Sequence, residues 1–374
     1  MTSNNNQLLK RKREKSFEGS GLLYDGKDIT SLLLGDPDHL SPADRILLTE
    51  CYSHFGLDLF EKLALDNKIG PFVAHVFMAL GCDKDFWQIK HEFFVKRNLK
   101  IKSLLDAIFD EMKAFSCESL TLTENFAVVL ATESCIGCFC SGDVDLSADL
   151  AERDAIIGLL KKFSFTSKDQ PQVMGEYFGQ SMQFFNPEAI DVGFWINVIW
   201  RPVTRAFLVQ DKYDVRLARD RLLATAKAGS SIRILDDTSL LYFCALHISA
   251  GHYFTMNPGL RLYVDIDRIA RSPNIDWDSI IAWEHEDDAG IRISVALYLC
   301  QRIFNTPIPD RVYSDMLNSR SNQRFLKYLY NSQVNQIQGN SSIFRRLYVE
   351  LVSDNKNIVT NFIGRVFQLI RSKV

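Results

Sequence analysis

Residues 124–147 read ENFAVVLATESCIGCFCSGDVDLS, and the fold turns on how this stretch divides. ENFAVVLAT, residues 124–132, is a short apolar, β-branched run, which predicts a buried strand. Phe139 to Leu146 is a second extended candidate and ends in GDVDL. LAERDAIIGLLKKFSF, residues 150–165, places apolar residues at helical spacing. Asp143 and Asp145 stand two apart on the expected strand, so both carboxylates face one side, with about 6 to 7 Å between α-carbons. Two such carboxylates repel each other when ionised unless a cation compensates. Mg²⁺ suits hard oxygen ligands and keeps positions open for phosphates. An Asp-x-Asp pair alone is common on surfaces. Its weight here comes from Ser141 and Gly142 before it and from the apolar runs on either side.

Upstream, Ser41 is a helix cap with Pro42 at the first helical position. Residues 56–67, 69–81 and 83–115 then carry apolar residues every three or four positions, which predicts a series of amphipathic helices. Downstream, MQFFN (182–186) and the stretch 189–203 are further strand candidates. DVRLARDRLLATAKAG (214–229) returns to helix, followed by helical segments over 236–254, 260–272 and 276–304. The expected fold class is α+β, mostly helical: a small mixed sheet flanked by helical regions. The expected division is a partly disordered leader (1–40), an N-terminal helical region (41–120), an α/β core (121–210) and a C-terminal helical domain (211–374).

With 374 residues, 47% hydrophobic and 24% charged, the chain has enough apolar content for a large core. A net charge of -3 gives no general attraction to nucleic acid or anionic lipid. KRKREK (10–15) reads as a solvated leader and lacks the apolar core of a secretory signal, so a cytoplasmic location without membrane contact is expected. Cys135, Cys138 and Cys140 form a Cys-x-x-Cys pattern, but no later pair of comparable spacing completes a zinc set. Buried thiols are the expectation there.

The segment from Val128 through GDVDL to KKFSF resembles the nucleotidyltransferase superfamily. The whole chain, over Leu57 to Pro309, resembles more narrowly the uncharacterised nucleotidyltransferase family of bacterial polysaccharide and peptide natural-product gene clusters. The narrower resemblance is carried by FEKLALDNKIGPFVAHVF, KRNLKIKSLLDAI, LHISAGHYF, LRLYVDIDRIA, NIDWDSII and LYLCQRIFNTPIP. It implies that Asp143 and Asp145 hold Mg²⁺ and that Ser141 and Gly142 approach the phosphates. Arg201 would steady the triphosphate.

Members carry Lys-Gly at the end of the first strand; on the strand reading above, Ala131 and Thr132 occupy those positions, and Thr132 becomes the nucleotide-side residue. The third metal acid, two residues before a His-Trp pair, maps to Asn197 in INVIWRP. Asn ligates through its carbonyl but brings no charge. Asp191, six residues earlier, is a substitute catalytic acid if the strand is regular, and Gly193 between them is where a bulge would break that alternation.

His247 and His252, five apart, fall poorly together on a helix and are expected to be core or helix-end residues. Asp265 and Asp267 would diverge on a helix. The acids of EHEDD (284–288) read as a solvated face. The resemblance implies a Mg²⁺-dependent transferase that moves a nucleotidyl group from a nucleoside triphosphate, ATP first, to a small-molecule, sugar or peptide acceptor. The alternative is a degenerate member acting as a binding or scaffold partner of a biosynthetic protein.

Overall fold

Ser41 Oγ accepts the backbone N–H of Asp44 at 3.2 Å, and the first long helix starts at Pro42, as the cap chemistry requires. The computed structural model describes residues 23–24, 27–66, 68–139, 141–167, 181–191, 193–200, 224–226, 231–252, 254, 260–286, 289–318 and 320–334. Its N-terminal part holds α1 (Thr30–Leu34), α2 (Pro42–Phe55), α3 (Leu57–Asp66), α4 (Gly70–Leu80) and α5 (Lys84–Glu111). Ile29, Leu33 and Leu34 are buried, so the end of the expected leader packs into the core. Trp87 Nε1 donates to Tyr52 Oη at 3.1 Å, and Tyr52 Oη donates to Asp83 Oδ2 at 2.6 Å, tying α2 to the start of α5 among Phe60 and Phe77.

Leu23–Tyr24 (β1) and Lys27–Asp28 (β2) form a separate two-stranded ribbon. The main mixed sheet has seven strands: β3 (Thr121–Leu122), β4 (Asp143–Ser147), β5 (Thr166–Ser167), β6 (Ser181–Asn186), β7 (Phe194–Ile199), β8 (Ala224–Ala226) and β9 (Arg233–Leu235). Their order is β5-β6-β7-β4-β3-β9-β8; β4 runs parallel to β7 and β3 parallel to β9, while the other pairs are antiparallel. Two further helices flank it, α6 (Phe126–Ala131) and α7 (Arg153–Lys162). The C-terminal part is α8 (Asp237–Leu246), α9 (Arg261–Ala270), α10 (Trp277–Glu286), α11 (Gly290–Phe304), α12 (Ser314–Leu317) and α13 (Arg320–Val334). The fold is mostly helical α+β, as expected.

Two elements differ from the sequence reading. The run 124–132 is not a strand: the strand is Thr121–Leu122, and Phe126–Ala131 is a helix. Phe126, Ala127, Val128 and Val129 are all buried, so this helix has no solvated side to impose a 3.6-residue alternation. A six-residue apolar run therefore looks the same as a buried strand. In DVRLARDRLLATAKAG, residues 214–223 lie outside the described residues, and Ala224–Ala226 is a strand paired with β9. Pairing with a neighbour overrides the helical preference of alanine there. The sheet consequently extends past residue 210.

Glu284 is buried at 5% exposure, so the acids of EHEDD do not form one solvated face, while Asp287 and Asp288 lie outside the described residues. No described helix is long and apolar enough to cross a membrane.

Candidate active site

The parallel pairing of β4 with β7 sets Asp145 against Asn197 and Asp143 against Trp195. Val144, Leu146, Ile196 and Val198 are fully buried on the opposite face, and the two-residue period of a strand then turns Asp143, Asp145 and Asn197 to a common side. Asn197 Nδ2 donates to Asp143 Oδ2 at 2.8 Å and to Asp145 Oδ1 at 3.0 Å. One amide nitrogen thus sits between the two carboxylates. Asn197 Oδ1 is buried with no hydrogen-bond partner among the described residues.

The remaining carboxylate oxygens are also engaged. Ser141 Oγ donates to Asp143 Oδ1. Asn125 Nδ2 donates to Asp145 Oδ2 at 3.1 Å, and Arg261 of α9 donates to Asn125 Oδ1. Glu124, 2% exposed, ion-pairs with His247 Nδ1 at 3.0 Å, and His247 Nε2 lies 2.9 Å from His252 Nε2. Burial, with the charges of Glu124 and Asp143 added, pushes the Asp145 carboxyl up to about 7. Burial alone would lower His247, but Glu124 and Asp145 outweigh it and the net shift is upward. Burial likewise raises Asp265 to about 6, against the opposing charges of Arg261 and Arg268. Buried Glu124 and half-buried Asp143 and Asp145 are thus linked through hydrogen bonds and charge to Asn125, His247 and Arg261.

Several sequence expectations move. The first strand ends before Thr123, so the turn that follows it carries Glu124 and Asn125, while Ala131 and Thr132 lie at the far end of the next helix. Thr132 caps the far end of α6, about 9 Å along the helix axis, with its hydroxyl on Val128 O at 2.8 Å. Asp191 is not on the strand: it closes the 3₁₀ turn Ala189–Asp191, and Gly193, at φ 79°, separates that turn from β7. Three strand steps already place Asn197 about 10 Å from Phe194, so Asp191 lies off the end of the row that carries Asn197. Arg201 lies outside the described residues.

Ser141 and Gly142 form the turn before β4, where Arg97 of α5 donates to Ser141 O and Gly142 O accepts Trp195 N at 3.4 Å. The histidines five apart meet because residues His247–Gly251 form a π turn, whose wider winding brings i and i+5 together. Glu124, Asn125, Arg97 and Arg261 were not singled out from sequence. Their signal was a polar pair beside an apolar run and two charges inside helical patterns, neither of which has a spacing tied to the Asp pair.

Paired acids on a short sheet strand after a Ser-Gly turn, among flanking helices, are the arrangement that the resemblance to nucleotidyltransferases implies. The sequence model of a family described as uncharacterised nucleotidyltransferase matches residues 134–305, a segment that holds Ser141, Asp143, Asp145, Asn197, His247 and Arg261. The resemblance to that family stands over this segment, and the family points to a nucleotide and a divalent metal as ligands. No curated protein and no solved structure matches the chain.

Proposed function

We propose that the chain is a Mg²⁺-dependent nucleotidyltransferase that moves a nucleotidyl group from a nucleoside triphosphate, ATP first among the candidates, to a small-molecule, sugar or peptide acceptor. The observation that carries this reading is the single amide nitrogen of Asn197 held between Asp143 and Asp145. That is the position a cation takes between paired carboxylates. The unpartnered Oδ1 of the same side chain offers a hard oxygen ligand after a half-turn of the amide.

The donor set fits the metal: Asp143, Asp145 and Asn197 would hold Mg²⁺, which when bound neutralises charge on the transferring phosphate. The chain's own residues have separable roles. Ser141 and Gly142 would face the phosphates from a turn held by Arg97, and Asn125 with Arg261 would orient the Asp145 carboxylate.

Glu124 supports the second reading, a degenerate binding or scaffold protein, because it puts a carboxylate where the resemblance expects a lysine to attract phosphate. Thermal unfolding of the full chain with each of four nucleoside triphosphates, with and without Mg²⁺, separates the two. A ligand at about a hundred times its Kd should stabilise the fold by about 2.7 kcal/mol. The enzyme reading expects this only when metal and nucleotide are both present, and expects Asp143→Asn with Asp145→Asn to abolish it. No response to any pair would overturn it and leave the scaffold reading.

A further inference from the structure

His75 of α4 and His91 of α5 stack face to face, 4.7 Å between ring centroids and 6° between planes. Onto them presses the 3₁₀ turn Ile136–Cys138. Cys135 Sγ lies 3.6 Å from His91 Nε2, and Cys138 Sγ lies 3.7 Å from His75 Nδ1. One ligand atom each of His75, His91 and Cys135 falls within 4.8 Å of the others, and the Cys138 sulfur joins them through His75. A zinc ion with Zn–S of about 2.3 Å and Zn–N of about 2.1 Å at tetrahedral angles sets neighbouring S and N atoms about 3.6 Å apart. The two measured sulfur–nitrogen separations are edges of that size.

We propose that His75, His91, Cys135 and Cys138 form a structural zinc site, separate from the Asp143–Asp145 pair. No pair later in the sequence completes the Cys-x-x-Cys pattern. The completing pair lies upstream instead, on two helices, where side-chain proximity and not spacing brings it in. Two thiolates and two imidazoles are the donor set that favours zinc over hard cations such as Mg²⁺.

The packing around the turn suits a closed site. At Gly137 a side-chain carbon would stand 2.6 Å from His91 Cε1 and 2.7 Å from Val95 Cγ2, so glycine is what lets the turn approach this close. Cys138 is buried, so the turn carries its sulfur inside the fold. The metal would bind the turn to α4 and α5 at the same place where Asn98 Nδ2 already donates to Ile136 O at 2.7 Å and Phe139 O at 2.9 Å. It would thereby set the start of the strand that carries Asp143.

The test needs no nucleotide, so its result is independent of the reading of the Asp pair. Untagged full-length chain, expressed with added zinc, is freed of loose metal and its zinc is counted by elemental analysis. About one zinc per chain is expected, and Cys135→Ser with Cys138→Ser should lower it at least tenfold. If that variant fails to fold, the wild-type chain stripped of metal and titrated with Co²⁺ must develop tetrahedral absorption together with a thiolate-to-cobalt charge-transfer band. A chain with less than about a tenth of a zinc and no such band overturns the proposal. So does zinc retained in the cysteine variant, or a Cys135–Cys138 disulfide in the folded chain.

Discussion

Asn197 on β7 stands across from Asp145 on β4 and donates Nδ2 to its Oδ1 at 3.0 Å, while the same nitrogen reaches Asp143 Oδ2 at 2.8 Å. Asn197→Asp removes both hydrogen bonds and adds a third carboxylate to the row. Hydrogen bonds to charged groups contribute about 1.5–3 kcal/mol each, so in EDTA the variant should lose about 3–6 kcal/mol in denaturant unfolding. Mg²⁺ should recover most of that loss and bind at least about tenfold tighter than to the parent chain, since a carboxylate replaces a neutral oxygen. An equal loss with and without Mg²⁺ would refute a cation position shared by these three residues.

Asp145 gives the metal-free protein a pH dependence whose sign is fixed. Its folded pKa is raised from 3.8 to about 7 by burial and by Glu124 and Asp143, so the folded state holds a proton that the unfolded state has released. Its contribution to stability is full below about 4 and is lost as pH rises through about 7. Asp145→Asn should flatten this part of the stability profile between those limits. In the parent chain Mg²⁺ should stabilise more strongly at pH 8 than at pH 5, because binding must displace the proton. The opposite slope in EDTA, or a profile identical in Asp145→Asn, would contradict the assignment.

Glu124→Gln removes one of the charges that raise Asp145 and the ion-pair partner of His247. The loss of stability at rising pH should therefore shift to lower pH, and the His247 ring should titrate at lower pH in proton NMR. Triphosphate affinity with Mg²⁺ should rise about three- to tenfold if Glu124 repels phosphate, which corresponds to about 0.6–1.4 kcal/mol. Unchanged affinity would separate Glu124 from the phosphate side of the site.

Gly193 holds φ 79° just before β7, and a side-chain carbon there would lie 2.7 Å from Phe185 Cζ and 3.4 Å from Pro187 Cα. Gly193→Ala combines a left-handed backbone with overpacking against the β6 ring, for about 2–4 kcal/mol of lost stability. Chemical denaturation reads this directly. A loss below about 0.5 kcal/mol would mean that the Phe185 ring moves aside freely.

Long helices were legible where a buried stripe alternates with exposed positions, as in α5, or where a side chain caps the start, as at Ser41. The Asp pair was legible because both residues sit in one short segment. The turn at Glu124 and Asn125 was not, since an apolar run buried on every side has no periodicity with which to tell a helix from a strand. Asp191 was misplaced for a related reason: a six-residue spacing puts two residues on one face only if the strand continues, and the turn at Ala189–Asp191 ends it.

By itself the sequence determined the helical α+β class, the position of Asp143 and Asp145 on one strand, and the likeness to nucleotidyltransferases. These are properties of residues near each other in the chain, where spacing and local geometry suffice. Tertiary structure decided what surrounds them: Asn197 between the carboxylates, Asn125 and Arg261 behind Asp145, the Glu124–His247 pair, and two histidines against Cys135 and Cys138. Each of those contacts joins residues separated by up to 136 positions, and only packing of the intervening elements brings them together.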